Sequence, residues 1–368
     1  MQTTPYPARY GFLDGLRGLA ALCVVLAHQD VLPFGHEAVL VFFIISGYCI
    51  TAAAQAAMRS GRDSWPLFRY FMWRRIRRIY PPYALSVLFF AATRVVRAHV
   101  GRGSGPSTDP LAWLQNLTLT QWFTLIPHPD LPTRNPTLFV AAYWSLNYEE
   151  QFYLVVALAL VGAALVPARL RTHLALVTGA CVLWLAAVGT DVYHGFFPEY
   201  WPHFAIGAFL YFALTAEARW MATRLYAGAL SLLIAMAIVG VRGHWSWLPP
   251  ERAHELLLLS VFGLLLYFGR PLDDTVTRAR IWRPVAALGT ISYSLYLVHQ
   301  FNLTTSTLIG TKLAGLLHVP AAAVTLAIGA QLGIATVFWY ACERPFLNPP
   351  AVLAASTAKP GAPSVAGP

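Results

Sequence analysis

The sequence predicts an all-α fold, a polytopic transmembrane helical bundle of about ten spans with one further re-entrant or external segment. Hydrophobic residues fill 57% of the 368 positions and charged ones only 11%, too little polarity to solvate the surface of a soluble domain. Apolar runs of roughly 17 to 25 residues, flanks included, follow one another along the chain. The basic residues, 24 Arg and 2 Lys behind a net charge of +10, sit mostly between those runs. That placement makes the excess a matter of membrane topology rather than of nucleic-acid binding.

The first run, "LDGLRGLAALCVVLAHQD" at 13–30, carries Asp14, Arg17 and His28. Arg17 and His28 stand close to three helical turns apart, so they share one face at a spacing of ~16 Å. The apolar core begins late, Asp14 interrupts the basic leader and no small-x-small site follows, so this is a retained span rather than a signal peptide. The second run, 38–57, contains "FFIISGYCI" with Ser46 and Tyr48. The third, 79–96, is entered through "FMWRRIRRIYPPY", in which Pro81 and Pro82 set a turn or kink at the membrane entry.

Segment 111–126 is shorter and carries Gln115, Asn116 and Gln121. Runs at 144–166, 173–189, 202–215, 225–241, 255–269, 284–308 and 320–342 complete the set. Residues 1–347 are expected to form one membrane domain, and the Pro-, Ala- and Gly-rich stretch 348–368 a disordered tail. Cys23, Cys49, Cys181 and Cys342 show no paired spacing, so neither a disulfide framework nor a metal site is indicated.

Charge counting places the 111–126 segment. If it does not span, cytoplasmic loops and both ends hold 19 of the 26 basic residues and the outer segments hold 7, as the positive-inside bias requires. If it did span, Arg169, Arg171 and the arginine cluster at 270–283 would face outside. The expected arrangement therefore has both termini cytoplasmic and residues 97–143 external or re-entrant; the Arg-over-Lys and Ala-rich composition suggests a GC-rich bacterium, whose cytoplasmic (inner) membrane would hold the protein.

Ionisable groups inside spans cost ~3 kcal/mol each on insertion scales, so each is a candidate for function. His28 reads either as a titratable group in a site or as a hydrogen-bonded histidine at the membrane interface, and its shared face with Arg17 favours the site. Asp14, three residues before Arg17, is placed to hold that arginine at the inner surface. Arg75 and Arg78 share a face just before an apolar span; they serve as a lipid-phosphate anchor or as a guanidinium fork for a phosphorylated ligand.

In "YWSLNYEEQFYL", Glu149 and Glu150 lie near the start of a span beside Trp144, Ser145 and Tyr148. They are helix N-terminal charges or working carboxylates. Ser292, Tyr296 and His299 in "ISYSLYLVHQF" form one polar stripe, as interhelical glue or as part of a site.

"LDGLRGLAALCVVLAHQ", "VFFIISGYCI", "RRIRRIYPPY", "YWSLNYEEQFYL", "ISYSLYLVHQ" and the late "CERPF" occur in the order and spacing of one family. Over residues 11–347 the chain resembles the acyltransferase-3 family of integral membrane O-acyltransferases. The resemblance implies ten or so transmembrane helices. It also implies transfer of an acyl group, commonly acetyl, from cytosolic acyl-CoA to a hydroxyl of a carbohydrate, glycoconjugate or other glycosylated or polyketide acceptor. The family's Arg-x10-His pattern falls on Arg17 and His28, its Arg-x-x-Arg pattern on Arg75 and Arg78, and its Trp-Ser-Leu-x-x-Glu pattern on Trp144, Ser145 and Glu149. Where the family often has Phe after Ser-Gly, this chain has Tyr48.

That chemistry needs a base to take the acceptor's proton, a role suited to His28, with Glu149 or Glu150 to orient the ring. Arg17, Arg75 and Arg78 would hold the anionic CoA. Glu343 and His299 are the next partners in line for His28. The competing reading is a non-enzymatic transporter or flippase of a glycolipid intermediate, since intramembrane Arg and His also mark transport routes.

Overall fold

The computed structural model describes residues 10–101, 103–125, 138–166, 169–188, 195–215, 219–242 and 250–347. The tail and the ends of several expected runs lie outside these residues. The described chain is helical, in the order α1 (Gly11–His28), α2 (Gly35–Met58), α3 (Ser64–His99), α4 (Pro110–Thr118), α5 (Trp122–Leu125), α6 (Trp144–Leu165) and α7 (Leu170–Val188). There follow α8 (Trp201–Thr215), α9 (Arg219–Arg242), α10 (Pro250–Gly269), α11 (Asp273–Arg278), α12 (Trp282–Val298), α13 (Leu303–Leu316) and α14 (Ala323–Phe338). Eight helical stretches among the described residues are long and apolar enough to cross a membrane, and the shorter apolar helices α8 and α12 pack among them.

Two expectations about element boundaries change. Helix α3 begins at Ser64, well before the predicted start, and runs 36 residues through Pro81 and Pro82. The prolines leave the carbonyls of Arg77 and Arg78 without their helical donors, yet the helix continues, and in the turn just ahead of them the Tyr293 hydroxyl donates to the Ile79 carbonyl at 3.0 Å. The 284–308 run is broken between α12 and α13. Its polar residues there serve neighbours: Gln300 accepts from the Ala142 amide at 2.7 Å, and the His299 carbonyl accepts from Gln331 at 2.9 Å.

Segment 111–126 folds as the short helices α4 and α5. At nine residues α4 is ~14 Å long, about half the hydrocarbon thickness, so it does not cross. It is fastened to the bundle by Asn116, whose carbonyl accepts from the Tyr83 hydroxyl at 2.6 Å and whose side chain accepts from the Phe139 amide at 3.1 Å.

Small residues bring the site helices close together. A Cβ on Gly18 would lie 2.4 Å from the Gly289 amide nitrogen, and one on Gly289 would lie 1.9 Å from the Asp14 carbonyl oxygen, so α1 and α12 are in backbone contact. Gly47 does the same for α2 and α8, where an added Cβ would meet the Phe204 carbonyl oxygen at 2.0 Å. Aromatic side chains of α2, α6 and α8 fill the space around this second contact, with Phe43 on Phe152 at 5.4 Å and Phe152 on Phe204 at 4.8 Å.

The N-terminus of α1 has no capping side chain of its own. Its first amides, on Gly11 and Phe12, donate instead to the Asp273 carboxylate at 3.1 and 2.7 Å. Asp273 is also paired with Arg270 at 2.8 Å, both buried, and Arg270 lies over the Tyr10 ring. Burial, with Asp273 beside it, pushes the Tyr10 phenol up; it stays protonated and donates to the Leu266 carbonyl at 2.9 Å. Replacing Asp273 by Ala strands two helix-end amides and a buried guanidinium, at a cost of ~3 kcal/mol. We expect Asp273→Ala to lower the thermal midpoint of the detergent-solubilised protein by several degrees, and Asp273→Asn by less. Equal midpoints for wild type and Asp273→Ala would show that this remote cap does not hold α1.

Candidate active site

Arg17 on α1 and Arg75 and Arg78 on α3 converge on one cavity of about 170 Å³ among α1, α2, α3, α6 and α12. The run "RRIRR" divides by helical face: Arg74 and Arg77 are exposed, whereas Arg75 and Arg78, three residues apart, turn inward and are half-buried. The same cavity is lined by Asp14, Ser46, Ser145, Glu149, Tyr153, Tyr293 and Tyr296. Glu149 accepts from Ser46 at 2.7 Å and from Tyr153, one turn further along α6, at 2.5 Å.

None of the three guanidinium groups is locked in an ion pair among the described residues, although Glu149 and Asp14 lie within electrostatic reach of Arg17. The Arg75 Nε is buried and has no hydrogen-bond partner among the described residues. A buried donor of this kind is completed by a ligand or water. Three arginines on two helices, one with an open donor, make a site for an anionic group such as a phosphate.

Glu343 lies outside the cavity lining and accepts from the Ser294 amide at 3.1 Å and hydroxyl at 2.5 Å. Arg78 and Arg17 are both within its electrostatic reach. Glu150 lines an adjoining pocket that shares Arg75, Glu149 and Tyr153 with the first, and it is hydrogen-bonded by Tyr80, whose hydroxyl also lies 3.3 Å from the Thr118 carbonyl.

His28 stands at the far end of α1, exposed on one side and in ring contact with buried His299 at 5.0 Å. The His299 Nδ1 lies 2.7 Å from the Tyr296 carbonyl, so it carries the proton and leaves Nε2 as an acceptor with no partner among the described residues. The Tyr296 ring contacts His299 at 5.5 Å. Its hydroxyl pairs with Ser145 at 2.6 Å and donates to the Ala142 carbonyl at 2.5 Å. Tyr296 and Ser145 thus separate the arginine cavity from the two histidines.

The structure therefore groups the sequence-derived residues in two sets. Arg17, Arg75, Arg78, Asp14 and Glu149 come together at one level. His28 and His299 come together at another, with Ser145 and Tyr296 between them. Neither Glu149 nor Glu150 shares a described hydrogen bond with His28, because each carboxylate lies a turn or more along α6 from the helix end that reaches the histidine level.

Trp144, at that end, stacks on His36 at 5.9 Å. Sequence reasoning missed Tyr153 and Tyr293 in the cavity wall. It also missed a charged cluster of His36, Glu199, Arg252 and Glu255 at the His28 end. The signal was available, since these too are ionisable groups in or beside apolar runs.

Comparison with known proteins bears on this arrangement. No solved structure matches the chain. It is 28% identical over 341 residues to "Putative peptidoglycan O-acetyltransferase YrhL" of Bacillus subtilis (strain 168), an alignment covering 80% of this chain and 49% of that protein. The chain thus spans about half the length of that relative. It is 27% identical over 308 residues to "Putative membrane-bound transacylase BcsY" of Komagataeibacter xylinus, covering 78% of this chain and 71% of that one. The sequence profile of the acyltransferase-3 family, described as an acyltransferase domain, matches residues 10–340. With nearly the whole described bundle and every residue of the arginine cavity inside that match, this chain belongs to the acyltransferase-3 family.

Proposed function

We propose that this protein is a membrane O-acyltransferase that moves an acyl group, acetyl by analogy with the Bacillus subtilis relative, from cytosolic acyl-CoA to a hydroxyl of a carbohydrate acceptor. The observation that carries this reading is the convergence of Arg17, Arg75 and Arg78 on one cavity, with an unpartnered Arg75 Nε, below a histidine at the other end of α1. The arginines hold the phosphates of the donor. Glu149, fixed by Ser46 and Tyr153, and Asp14 balance part of their charge and keep the guanidinium groups in place.

His28 lies ~16 Å further along α1, a distance that the flexible arm of CoA is suited to cover while its nucleotide stays at the arginines. His28 accepts the proton of the acceptor hydroxyl as the oxygen bonds to the thioester carbonyl carbon. The C–S bond breaks, and the CoA thiolate leaves with the electron pair. His299 positions the His28 ring through the ring contact at 5.0 Å. A base so placed contributes ~10² to 10⁴ in rate. The protein sits in a bacterial cytoplasmic membrane with both termini in the cytosol.

Release of free CoA from acetyl-CoA by the purified protein, stimulated by a carbohydrate acceptor, tests the activity; a transporter of glycolipids releases none. His28→Ala should reduce transfer at least ~100-fold and leave the thermal midpoint unchanged, because His28 is exposed. Retention of more than about a tenth of wild-type turnover rules out a general base at this position.

Arg75→Ala and Arg78→Ala should weaken CoA affinity, with Lys restoring it only in part because a point charge lacks the planar fork. Unchanged affinity with poor membrane insertion would return both arginines to an anchoring role. For topology, single cysteines at positions 64, 104 and 172 in a cysteine-free background should react with an impermeant thiol reagent in intact cells at position 104 alone. Reaction at position 172 would overturn the orientation.

A further inference from the structure

The charged cluster at the His28 end has no part in donor binding, and its construction points to a second ligand. His36, the second residue of α2, has a side chain 42% exposed, and its Nε2 lies 3.1 Å from Glu255 on α10. Arg252 reaches Glu255 at 3.2 Å and Glu199 at 3.2 Å, and Tyr148 of α6 donates to Glu199 at 2.5 Å. Exposure falls along this path to 16% at Glu255 and 2% at Glu199, so the cluster is open at one end and closed at the other.

Behind it His203 is buried. Its Nδ1 lies 3.3 Å from the Tyr200 carbonyl, and its Nε2 has no partner among the described residues. His203 and Arg252 both lie within electrostatic reach of Glu255. An ion-pair staple between helices would need neither an open end nor an unsatisfied buried acceptor. The missing partner is a hydrogen-bond donor that enters from the exposed side.

The walls define its chemistry. His36 stacks on Trp144 with an interplanar angle of 18°, and Tyr200 packs against Trp144 at 5.4 Å. An aromatic wall beside carboxylates, a guanidinium and an imidazole acceptor suits a pyranose, whose C–H face packs on rings while its hydroxyls both donate and accept. The charges select further. Arg252 is shared by two carboxylates, and His36 adds a cation only when protonated, so an acidic sugar would meet Glu199 and Glu255 with no unshared cation among the described residues of the cluster. Trp144 is followed by Ser145, which pairs with Tyr296 beside His299 and His28, so the cluster and the proposed base occupy the same end of the bundle.

We propose that the surface formed by His36, Trp144, Arg252 and Glu255, backed by His203, is the acceptor subsite and takes an uncharged sugar residue of a glycan. This rests on the acyl-transfer reading. The test uses the full-length protein, acetyl-CoA, a set of neutral tetrasaccharides (cellotetraose, maltotetraose and N-acetylchitotetraose) and an acidic one, tetragalacturonate. At least one neutral compound should accept acetyl in preference to tetragalacturonate. His36→Ala and Glu255→Gln should raise its KM about ten-fold while acceptor-independent CoA release from acetyl-CoA stays within about two-fold of wild type.

His36 is exposed, so its truncation keeps the test valid even where Glu255→Gln fails to fold. Preference for the acidic compound, transfer to none of the neutral ones by a protein that does release CoA, or an unchanged KM in His36→Ala would each overturn the subsite. Absence of CoA release under every condition would instead remove the acyl-transfer reading itself.

Discussion

The register of α1 against α12 is the constraint on which the rest of this structure depends. The two helices touch backbone to backbone at Gly18 and Gly289, and His28 meets His299. Each histidine lies the same number of residues, ten, beyond its glycine. The helices therefore run parallel over ~15 Å without slipping. Any side chain at either glycine would force them apart, because the nearest atoms are backbone and have nowhere to go. The Asp273 carboxylate fixes the start of α1 by taking its first two amides. Capped at one end and pressed against α12 in the middle, α1 has no freedom to rotate Arg17 out of the cavity or to carry His28 away from His299.

Burying three arginines among apolar helices is costly unless each has polar company, and the surroundings of the cavity reflect that. Glu149 and Asp14 lie within electrostatic reach of Arg17, and Glu343 lies within reach of Arg78 and Arg17. These carboxylates are themselves held apart from the guanidinium groups by bonds to other donors: Ser46 and Tyr153 for Glu149, Ser294 for Glu343. The arginines are thereby compensated by charge at a distance without being saturated by direct pairs. A site that must bind and release an anion needs that state, since a fully paired guanidinium has no donor left and an uncompensated one would not be tolerated in the bundle.

Much of this was legible in the sequence, and the exceptions have physical causes. Helical periodicity was enough to place Arg17 with His28 on one face and Arg75 with Arg78 on another. The start of α3 was hidden because five Arg fall between positions 69 and 78, so hydropathy reads a loop where the chain is helical; an arginine-rich segment can be both. The break at His299 was hidden for a different reason, since the apolar stretches on either side of His299, Gln300 and Asn302 read as one run, and the partners of Gln300 and the His299 carbonyl reveal what those polar residues do. Pairing Glu149 with His28 from sequence failed to anticipate depth along α6. A carboxylate five residues in from Trp144 is ~7.5 Å from the helix end, and that displacement puts it with the arginines. The His36 to Arg252 cluster draws on α2, α10 and the turn before α8, and no local spacing could have assembled it.

Depth along the bundle also separates two chemical problems that the proposed reaction must solve at once. On this reading the donor is anionic and would enter from the side where the basic residues are concentrated, whereas the acceptor is uncharged and would meet a charge-balanced, aromatic surface at the other end. Between them lie Tyr296 and Ser145, bonded to each other, with Tyr296 also bonded to the Ala142 carbonyl at the start of the turn that leads into α6. Because the Tyr296 ring touches both Phe42 in the cavity wall and His299, a thioester arm moving from the arginines toward His28 must pass this tyrosine. On the acyl-transfer reading, a barrier made of two hydroxyls and a carbonyl would open by exchanging hydrogen bonds with the incoming thioester and amide groups, whereas an apolar plug would have to strip them of their partners.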